Sequence, residues 1–320
     1  MTAGPDPSVT RIAGPWRHLD VHANGIRFQC VEAVDESDSG NGHRDTPPTA
    51  RPLVIMLHGF ASFWWSWRHQ LRGLSGARLV AVDLRGYGGS DKPPRGYDGW
   101  TLAGDTAGLV RALGHTSATL VGHADGGLVC WATAVLHPRM VRAIALVSSP
   151  HPVALKASVL ANADQRRALL PTLLGYQVPR WPERLLTRHD AEDLESLVRS
   201  RASSKWQAGE DFSETIEHLR QAIQIPSAAH CALEYQRWAV RSQLRAEGRR
   251  FMKLMDRRLD IPLLHLRGGA DPYVLADPVA RSRRYAPHGR FAEIAGVGHY
   301  AHEESPQAVN NALQQFLDSV

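Results

Sequence analysis

Short apolar runs recur along the chain and are separated by polar or amphipathic segments. Six of these runs are candidate strands, at residues 53–57, 78–83, 118–122, 143–149, 261–267 and 290–296. A strand that is covered on both faces has a nearly continuous apolar sequence, and the helices that cover it connect one parallel strand to the next. The pattern therefore predicts an α/β fold with a mostly parallel central sheet.

The region before these six runs has a different pattern. Residues 1–16 are predicted to form an N-terminal tail, and two strand-like runs then flank Asn24-Gly25. An Asn-Gly pair readily adopts the positive φ angles of a tight hairpin turn, so we expect an antiparallel hairpin here. Residues 35–51 are polar and rich in turn-forming residues, which predicts a loop.

A long segment without strand signals separates the fourth apolar run from the fifth. Within residues 151–258, apolar side chains recur at the i, i+3 and i+4 spacing of amphipathic helices. We interpret this segment as a helical cap. The cap is inserted into a core that consists of residues 17–150 and 259–320.

The charge and the cysteines exclude several classes of function. The net charge is +5, but basic and acidic residues are interleaved and no Lys/Arg-rich run is present, so we expect no nucleic-acid partner. Three widely spaced cysteines suit neither a disulfide framework nor a zinc site, and a reducing cytoplasm is expected. No stretch approaches the ~18 apolar residues of a transmembrane helix. The expected partner is a small-molecule substrate, and the oligomeric state stays open.

Glycine-rich and polar motifs follow the predicted strands. They lie at residues 58–60, 83–90, 122–127, 268–272 and 296–299. In an open parallel sheet, ligands bind beyond the carboxyl ends of the strands. The motifs therefore predict a functional site at that edge of the sheet.

In their order along the chain, the motifs HGF, DLRGYGGSDKP, GHADGG, GGADP and GVGHYAHEE resemble the α/β-hydrolase family. Within that family they are most similar to the branch of epoxide hydrolases and haloalkane dehalogenases, and the resemblance extends from about residue 17 to near the end of the chain. It implies an α/β-hydrolase fold with an inserted helical cap. It also implies that His299 activates water, that Asp271 orients His299, and that neither a metal nor an organic cofactor is needed.

The resemblance further implies a set of pocket residues. The residue after the His-Gly pair contributes a backbone N–H to the oxyanion hole in this family, and here that residue is Phe60. Epoxide hydrolases also use two cap tyrosines that hydrogen-bond the epoxide oxygen, although Tyr235 falls one residue before the expected position and Tyr176 matches a neighbour of the usual tyrosine. The predicted oxyanion and substrate pocket comprises His58, Phe60, Trp64, Tyr176 and Tyr235.

One position departs from the family's pattern. Epoxide hydrolases carry an aspartate nucleophile where this chain has Ala124, whose methyl group cannot attack carbon. The next residue is Asp125, at a position whose side chain faces the substrate in the dehalogenases. Its carboxylate would lie near a helix N-terminus, which favours the ionised form.

Four interpretations of this departure remain open. The first is an epoxide-hydrolase-like enzyme acting on a small apolar substrate, with Asp125 as a displaced nucleophile and His299 with Asp271 activating water. The second is a hydrolase without a covalent intermediate, in which His299 is the general base. In the third, the chain is a binding protein that keeps the pocket without turnover. In the fourth, Ala124 was introduced to disable the enzyme.

Overall fold

The computed structural model describes residues 4–34 and 51–320. The loop predicted over residues 35–51 lies outside the described residues except for its last position. All six predicted strands and the N-terminal hairpin are present. The strands are, in chain order, β1 (Trp16–Ala23), β2 (Ile26–Ala33), β3 (Leu53–Leu57), β4 (Arg78–Val82), β5 (Ala118–His123), β6 (Val141–Val147), β7 (Leu263–Gly268) and β8 (Arg290–Ile294).

These eight strands form one sheet in the order β1-β2-β4-β3-β5-β6-β7-β8. Strand β2 runs antiparallel to both of its neighbours, and the remaining pairs from β4 to β8 are parallel. The two central strands β3 and β5 are buried along their whole length. Their continuous apolar sequences follow from this burial, because helices cover both faces of the sheet.

The hairpin between β1 and β2 turns at the predicted Asn-Gly pair. Asn24 and Gly25 have φ angles of 47° and 80°, which are the positive values that such a turn requires. The segment before the hairpin differs from the predicted tail, since Pro7–Thr10 forms a 3-10 helix and Thr10 is buried. The carbonyl oxygen of Thr10 accepts a hydrogen bond from the indole N–H of Trp64 at 2.7 Å, which holds this segment against the core.

Fourteen α-helices are present in the described residues, and eight of them, α4 to α11, lie between β6 and β7 where the cap is predicted. The helices are α1 (Arg68–Gly73), α2 (Gly99–Ala112), α3 (Ala124–Leu136), α4 (Pro152–Ala161), α5 (Ala163–Gly175), α6 (Trp181–Thr187), α7 (Glu192–Arg201), α8 (Ser204–Gln207), α9 (Glu210–Gln224), α10 (Ala228–Arg241), α11 (Ala246–Met255), α12 (Ala276–Ser282), α13 (Ala301–Glu304) and α14 (Pro306–Leu317).

A buried polar network attaches the cap to the core. The guanidinium of Arg68, at the start of α1, lies 2.7 Å from the carboxylate of Glu303 and 2.7 Å from that of Asp211 in cap helix α9. It also donates a hydrogen bond to the hydroxyl of Thr215 at 2.8 Å. Because a buried guanidinium is costly unless its charge is paired, this network fixes α9 over the core.

Candidate active site

The turn between β5 and α3 has the geometry of a nucleophile elbow. Ala124 has a φ angle of 46°, a left-handed conformation that a residue with a side chain rarely adopts. The turn is tight because a Cβ added at Gly126 would come under 3.0 Å from the carbonyl oxygen of Leu57, and one added at Gly122 would come 2.5 Å from the nitrogen of Gly127. The strained backbone is therefore present at Ala124, although its methyl group offers no nucleophile.

Asp125 lies in the first turn of α3 and faces the cavity beside the elbow. It is half-buried, and its Oδ2 atom accepts a hydrogen bond from the side-chain amide of Gln236 in cap helix α10 at 2.5 Å. The structure thus directs this carboxylate into the pocket rather than into the core.

The environment of Asp125 tunes its acidity. Removal from water raises the pKa of its carboxyl to about 6, while the charges of Arg201 and His299 and the hydrogen bond from Gln236 oppose that rise. At neutral pH the carboxylate form prevails. A carboxylate with a raised pKa is also more basic, and therefore more nucleophilic, than one in water.

His299 and Asp271 form a buried pair at the ends of the last two strands. The Nδ1 atom of His299 lies 2.9 Å from Oδ2 of Asp271, and the backbone N–H groups of Tyr273 and Val274 donate to Oδ1 at 2.8 and 2.9 Å. Despite burial, the His299 charge and these donors lower the pKa of Asp271 to about 2. With its Nδ1–H donated to Asp271, a neutral His299 ring has Nε2 free to accept a proton.

His299 and Asp125 line the same cavity, which has a volume of about 30 Å³. A space of that size admits little more than water, so side chains of the lining must move before a substrate can enter. The lining combines aromatic and polar side chains. It comprises Phe60, His123, Ala124, Asp125, Tyr176, Arg201, Gln236, Tyr273, His299 and Tyr300.

Two predicted pocket residues lie in this lining. The rings of Phe60 and Tyr176 stack with their centroids 5.0 Å apart, so the loop after β3 meets the cap here. That loop also reaches the elbow, because a Cβ at Gly59 would come 3.2 Å from the methyl group of Ala124.

Three other predicted pocket residues, His58, Trp64 and Tyr235, do not line this cavity. The buried His58 ring accepts a hydrogen bond from the N–H of Leu84 at 3.1 Å and supports the loop from beneath. Trp64 is fully buried and belongs to the core. The hydroxyl of Tyr235 donates to the carbonyl oxygen of Arg85 at 2.8 Å, which turns this side chain away from the cavity.

Five lining residues were not predicted from the sequence: His123, Arg201, Gln236, Tyr273 and Tyr300. His123 lies inside the GHADGG motif, next to Ala124. The two tyrosines follow Asp271 and His299 closely along the chain, so their place after the strands could have signalled them. Arg201 and Gln236 come from cap helices and carry no such signal. Within the described ranges, no group of three or more His, Cys, Asp or Glu residues could hold a metal ion. None of the described helices combines the length and apolar character that a membrane span needs.

Comparison with known proteins agrees with the fold. A family model described as the alpha/beta hydrolase fold matches residues 52–306, a span that includes strands β3 to β8, the elbow, Asp271 and His299. The chain belongs to the α/β-hydrolase family. Within this family, the relatives place it in the epoxide-hydrolase-like branch. "Epoxide hydrolase 3" of Xenopus tropicalis is 31% identical over 311 residues, covering 95% of this chain and 78% of that protein.

Other α/β hydrolases show the same likeness. "Epoxide hydrolase 4" of Mus musculus is 28% identical over 319 residues, covering 98% of this chain and 81% of that protein. Among solved structures, a variant of an epoxide hydrolase from Bacillus megaterium has a TM-score of 0.78 and 25% identity, covering 94% of this chain and 100% of that one. Epoxide Hydrolase A from Mycobacterium thermoresistibile has a TM-score of 0.73 and 27% identity, covering 95% and 98%. The chain is thus an epoxide-hydrolase-like hydrolase.

Proposed function

We propose that this hydrolase opens small epoxides to vicinal diols, with Asp125 as the nucleophile in place of a residue at the elbow. A carboxylate oxygen of Asp125 attacks one epoxide carbon, the C–O bond of the ring breaks, and the alkoxide takes a proton. The product of this step is an ester between Asp125 and the opened substrate. His299, held by Asp271, then removes a proton from water, which attacks the ester carbonyl and releases the diol.

The observation that carries this proposal is the presence of the Asp125 carboxylate in the same cavity as His299. The pKa of about 6 leaves Asp125 ionised at neutral pH, as a nucleophile must be. The first turn of α3 adds favourable partial charge, since helix N–H groups point toward this end. A carboxylate in this position has both a substrate space and a base for the second step.

The proton for the alkoxide is assigned to Tyr176. Its ring is held against Phe60, and its backbone carbonyl accepts a hydrogen bond from the buried guanidinium of Arg237 at 3.0 Å. A phenol that stays protonated can donate to an alkoxide as the ring opens, and burial raises the pKa of Tyr176. The N–H groups of Phe60 and Asp125 are assigned to the developing negative charge in the second step.

A second mechanism is favoured by Ala124. Without a side chain that can attack, the elbow leaves room for water between the loop after β3 and His299, and His299 then activates that water for direct attack on the epoxide. Asp125 polarises the substrate in this alternative and forms no ester. The two routes yield the same diol but differ in the origin of its new oxygen atom.

Single turnovers in water enriched in the heavy oxygen isotope separate the two routes. With enzyme in excess over styrene oxide, covalent catalysis gives a first-turnover diol with ordinary oxygen, because that atom comes from Asp125. Heavy oxygen then enters the Asp125 carboxylate and is found in the tryptic peptide that contains it. A heavy-oxygen diol in the first turnover with an unlabelled peptide overturns the covalent route.

A further inference from the structure

We propose that Arg201 binds a carboxylate group of the substrate, so that this pocket takes an epoxide that carries a carboxylate close to its ring. The proposal deepens the proposed function, on which it rests for the epoxide part. Arg201 ends cap helix α7, is 7% exposed, and lines the cavity together with Asp125 and His299.

Arg201 differs from the other buried arginines in its pairing. Arg68, Arg85 and Arg237 each lie 2.7 Å from a carboxylate oxygen, of Glu303, Asp105 and Glu183 respectively. Among the side chains that the structure describes, no carboxylate oxygen lies within 4.0 Å of a guanidinium nitrogen of Arg201, the distance that defines an ion pair. Its close contact is instead the face of Tyr273, whose ring centroid lies 3.6 Å from the guanidinium carbon.

A buried guanidinium without a carboxylate partner is costly, because the lost hydration is not repaid by an ion pair. Stacking on a tyrosine ring recovers only part of that cost. Burial works against the charge of Arg201, the surrounding tyrosines and the Asp271 carboxylate favour it, and the guanidinium lines the cavity without an ion pair. An anionic ligand in the cavity would supply the missing partner.

Asp125 and Asp271 both act electrostatically on Arg201, and neither forms an ion pair with it. Asp271 is bonded to His299, and Asp125 is hydrogen-bonded to the Gln236 amide rather than to Arg201. If Arg201 served only to balance Asp125, the two would be expected to form a direct ion pair. The Arg201 guanidinium also hydrogen-bonds the side chain of Tyr273, which uses only part of its five N–H donors and leaves others for a ligand.

The chemistry of the site suits a carboxylate. A planar guanidinium matches a carboxylate with two parallel hydrogen bonds. The hydroxyl-bearing side chains of Tyr273 and Tyr300 lie in the same lining. Binding the carboxylate at Arg201 would orient the epoxide ring between Asp125 and His299.

Binding without turnover tests the inference directly. The probes are 3-phenylpropanoate and its amide, 3-phenylpropanamide, which share a shape but differ in charge. We expect the carboxylate to bind the wild-type protein at least about tenfold more tightly than the amide in calorimetry, as one charge-assisted contact implies. Equal affinities, or tighter binding of the amide, overturn the inference without requiring any variant to fold.

Variants then test whether Arg201 causes the preference for the carboxylate over the amide. In Arg201→Gln the carboxylate-over-amide ratio is expected to fall to about one, and in Arg201→Lys to an intermediate value. Arg199→Gln, on the exposed side of the same helix, is the matched control and is expected to keep the wild-type ratio. A ratio that stays at the wild-type value in Arg201→Gln contradicts the assignment.

Turnover of 3-phenyloxirane-2-carboxylate and its carboxamide completes the test. The expected result is a kcat/KM at least about tenfold higher for the carboxylate, and loss of that preference in Arg201→Gln. If the carboxylate ligand binds through Arg201 but neither epoxide is opened, the proposed reaction fails and the anion site stands. If both epoxides are opened equally well, the anion site fails and the proposed reaction stands.

Discussion

The side-chain amide of Gln236 in the cap donates a hydrogen bond to the carboxylate of Asp125 in the first turn of α3. One contact thus joins the cap to the residue that follows the elbow. It points the carboxylate into the cavity and stabilises its ionised form. Because Gln236 and Asp125 both line the closed cavity, we expect the pocket to open as Asp125 is released from Gln236.

Replacing Asp125 by Asn is expected to reduce kcat for styrene oxide by at least about a thousandfold, because a neutral amide cannot attack the epoxide and nucleophile losses in other hydrolases are of this size or larger. Steady-state kinetics by diol formation measure the change. Asp164→Asn, at an exposed acid in cap helix α5, serves as the control and is expected to keep wild-type activity. Residual activity above about a tenth of the wild-type kcat in Asp125→Asn favours the direct attack of water.

Asp125→Asn is expected to increase the free energy of unfolding although it reduces activity. The folded-state pKa of Asp125 is raised from 3.8 to about 6, so the ionised form is disfavoured in the folded protein and the associated stability is lost as pH rises through about 6. Asp125→Asn removes this penalty. Because the carboxylate is only half-buried, we expect a gain of about 1–2 kcal/mol at pH 8 and little at pH 4. Urea denaturation at both pH values checks this and excludes unfolding as the cause of lost activity.

The dependence of kcat/KM on pH should have an acidic limb near 6. Above that value Asp125 is ionised and active, and below it the protonated carboxyl loses its nucleophilicity, so activity falls about tenfold for each pH unit. Asp271, whose pKa is held at about 2, stays ionised over this range and does not contribute the limb. Rates measured from pH 4.5 to 8.5 test the assignment, and a kcat/KM that stays constant down to pH 4.5 would show that Asp125 is not the titrating group.

Removing the Gln236 contact is expected to shift that limb. In Gln236→Leu the carboxylate loses a hydrogen bond that favours its ionised form, so the pKa of Asp125 and the acidic limb should rise by about half a unit to one unit. Gln243→Leu, in the segment that follows the same cap helix, is the control for a changed glutamine and should leave the limb in place. A limb that does not move in Gln236→Leu would mean that this hydrogen bond opens before catalysis.

Substitutions of Tyr235 and Tyr176 test which of the two cap tyrosines acts in the reaction. Its hydroxyl is bonded to the carbonyl oxygen of Arg85 outside the cavity, so Tyr235→Phe should leave kcat/KM within about twofold and reduce stability by about 1 kcal/mol. Tyr176→Phe, which removes the assigned proton donor, should instead reduce kcat by about a hundredfold. The same kinetic assay compares the two variants. A larger loss of activity in Tyr235→Phe than in Tyr176→Phe would mean that Tyr235 acts in the reaction.

Much of the core was predictable because its signals are local. The apolar run at residues 53–57 coincides with strand β3, and the hairpin turns at Asn24-Gly25, where a two-residue pattern fixes the backbone. The elbow was equally predictable from the sequence, since Gly122 and Gly126 are needed where the strand and helix meet closely. Each of these features depends on residues that are neighbours in the sequence.

The cap side of the site could not be predicted in the same way. Successive residues of a helix differ by about 100° in direction, so an uncertainty of one position in α10 decides whether Tyr235 or Gln236 faces the cavity. The packing of α10 on the core turns Tyr235 toward Arg85 and Gln236 toward Asp125. Arg201 likewise reaches the cavity only because of how α7 is placed, which no local pattern reveals.

The central claim is that Asp125 forms an ester with the substrate, and His299→Gln tests it most directly. Without the base that activates water, the ester should accumulate after mixing with styrene oxide, and intact-protein mass spectrometry should show an increase equal to the mass of one epoxide. Peptide mapping should place that increase on Asp125, and the double variant with Asp125→Asn should show none. Diol formation by His299→Gln with no adduct, or an adduct on another residue, would contradict the account.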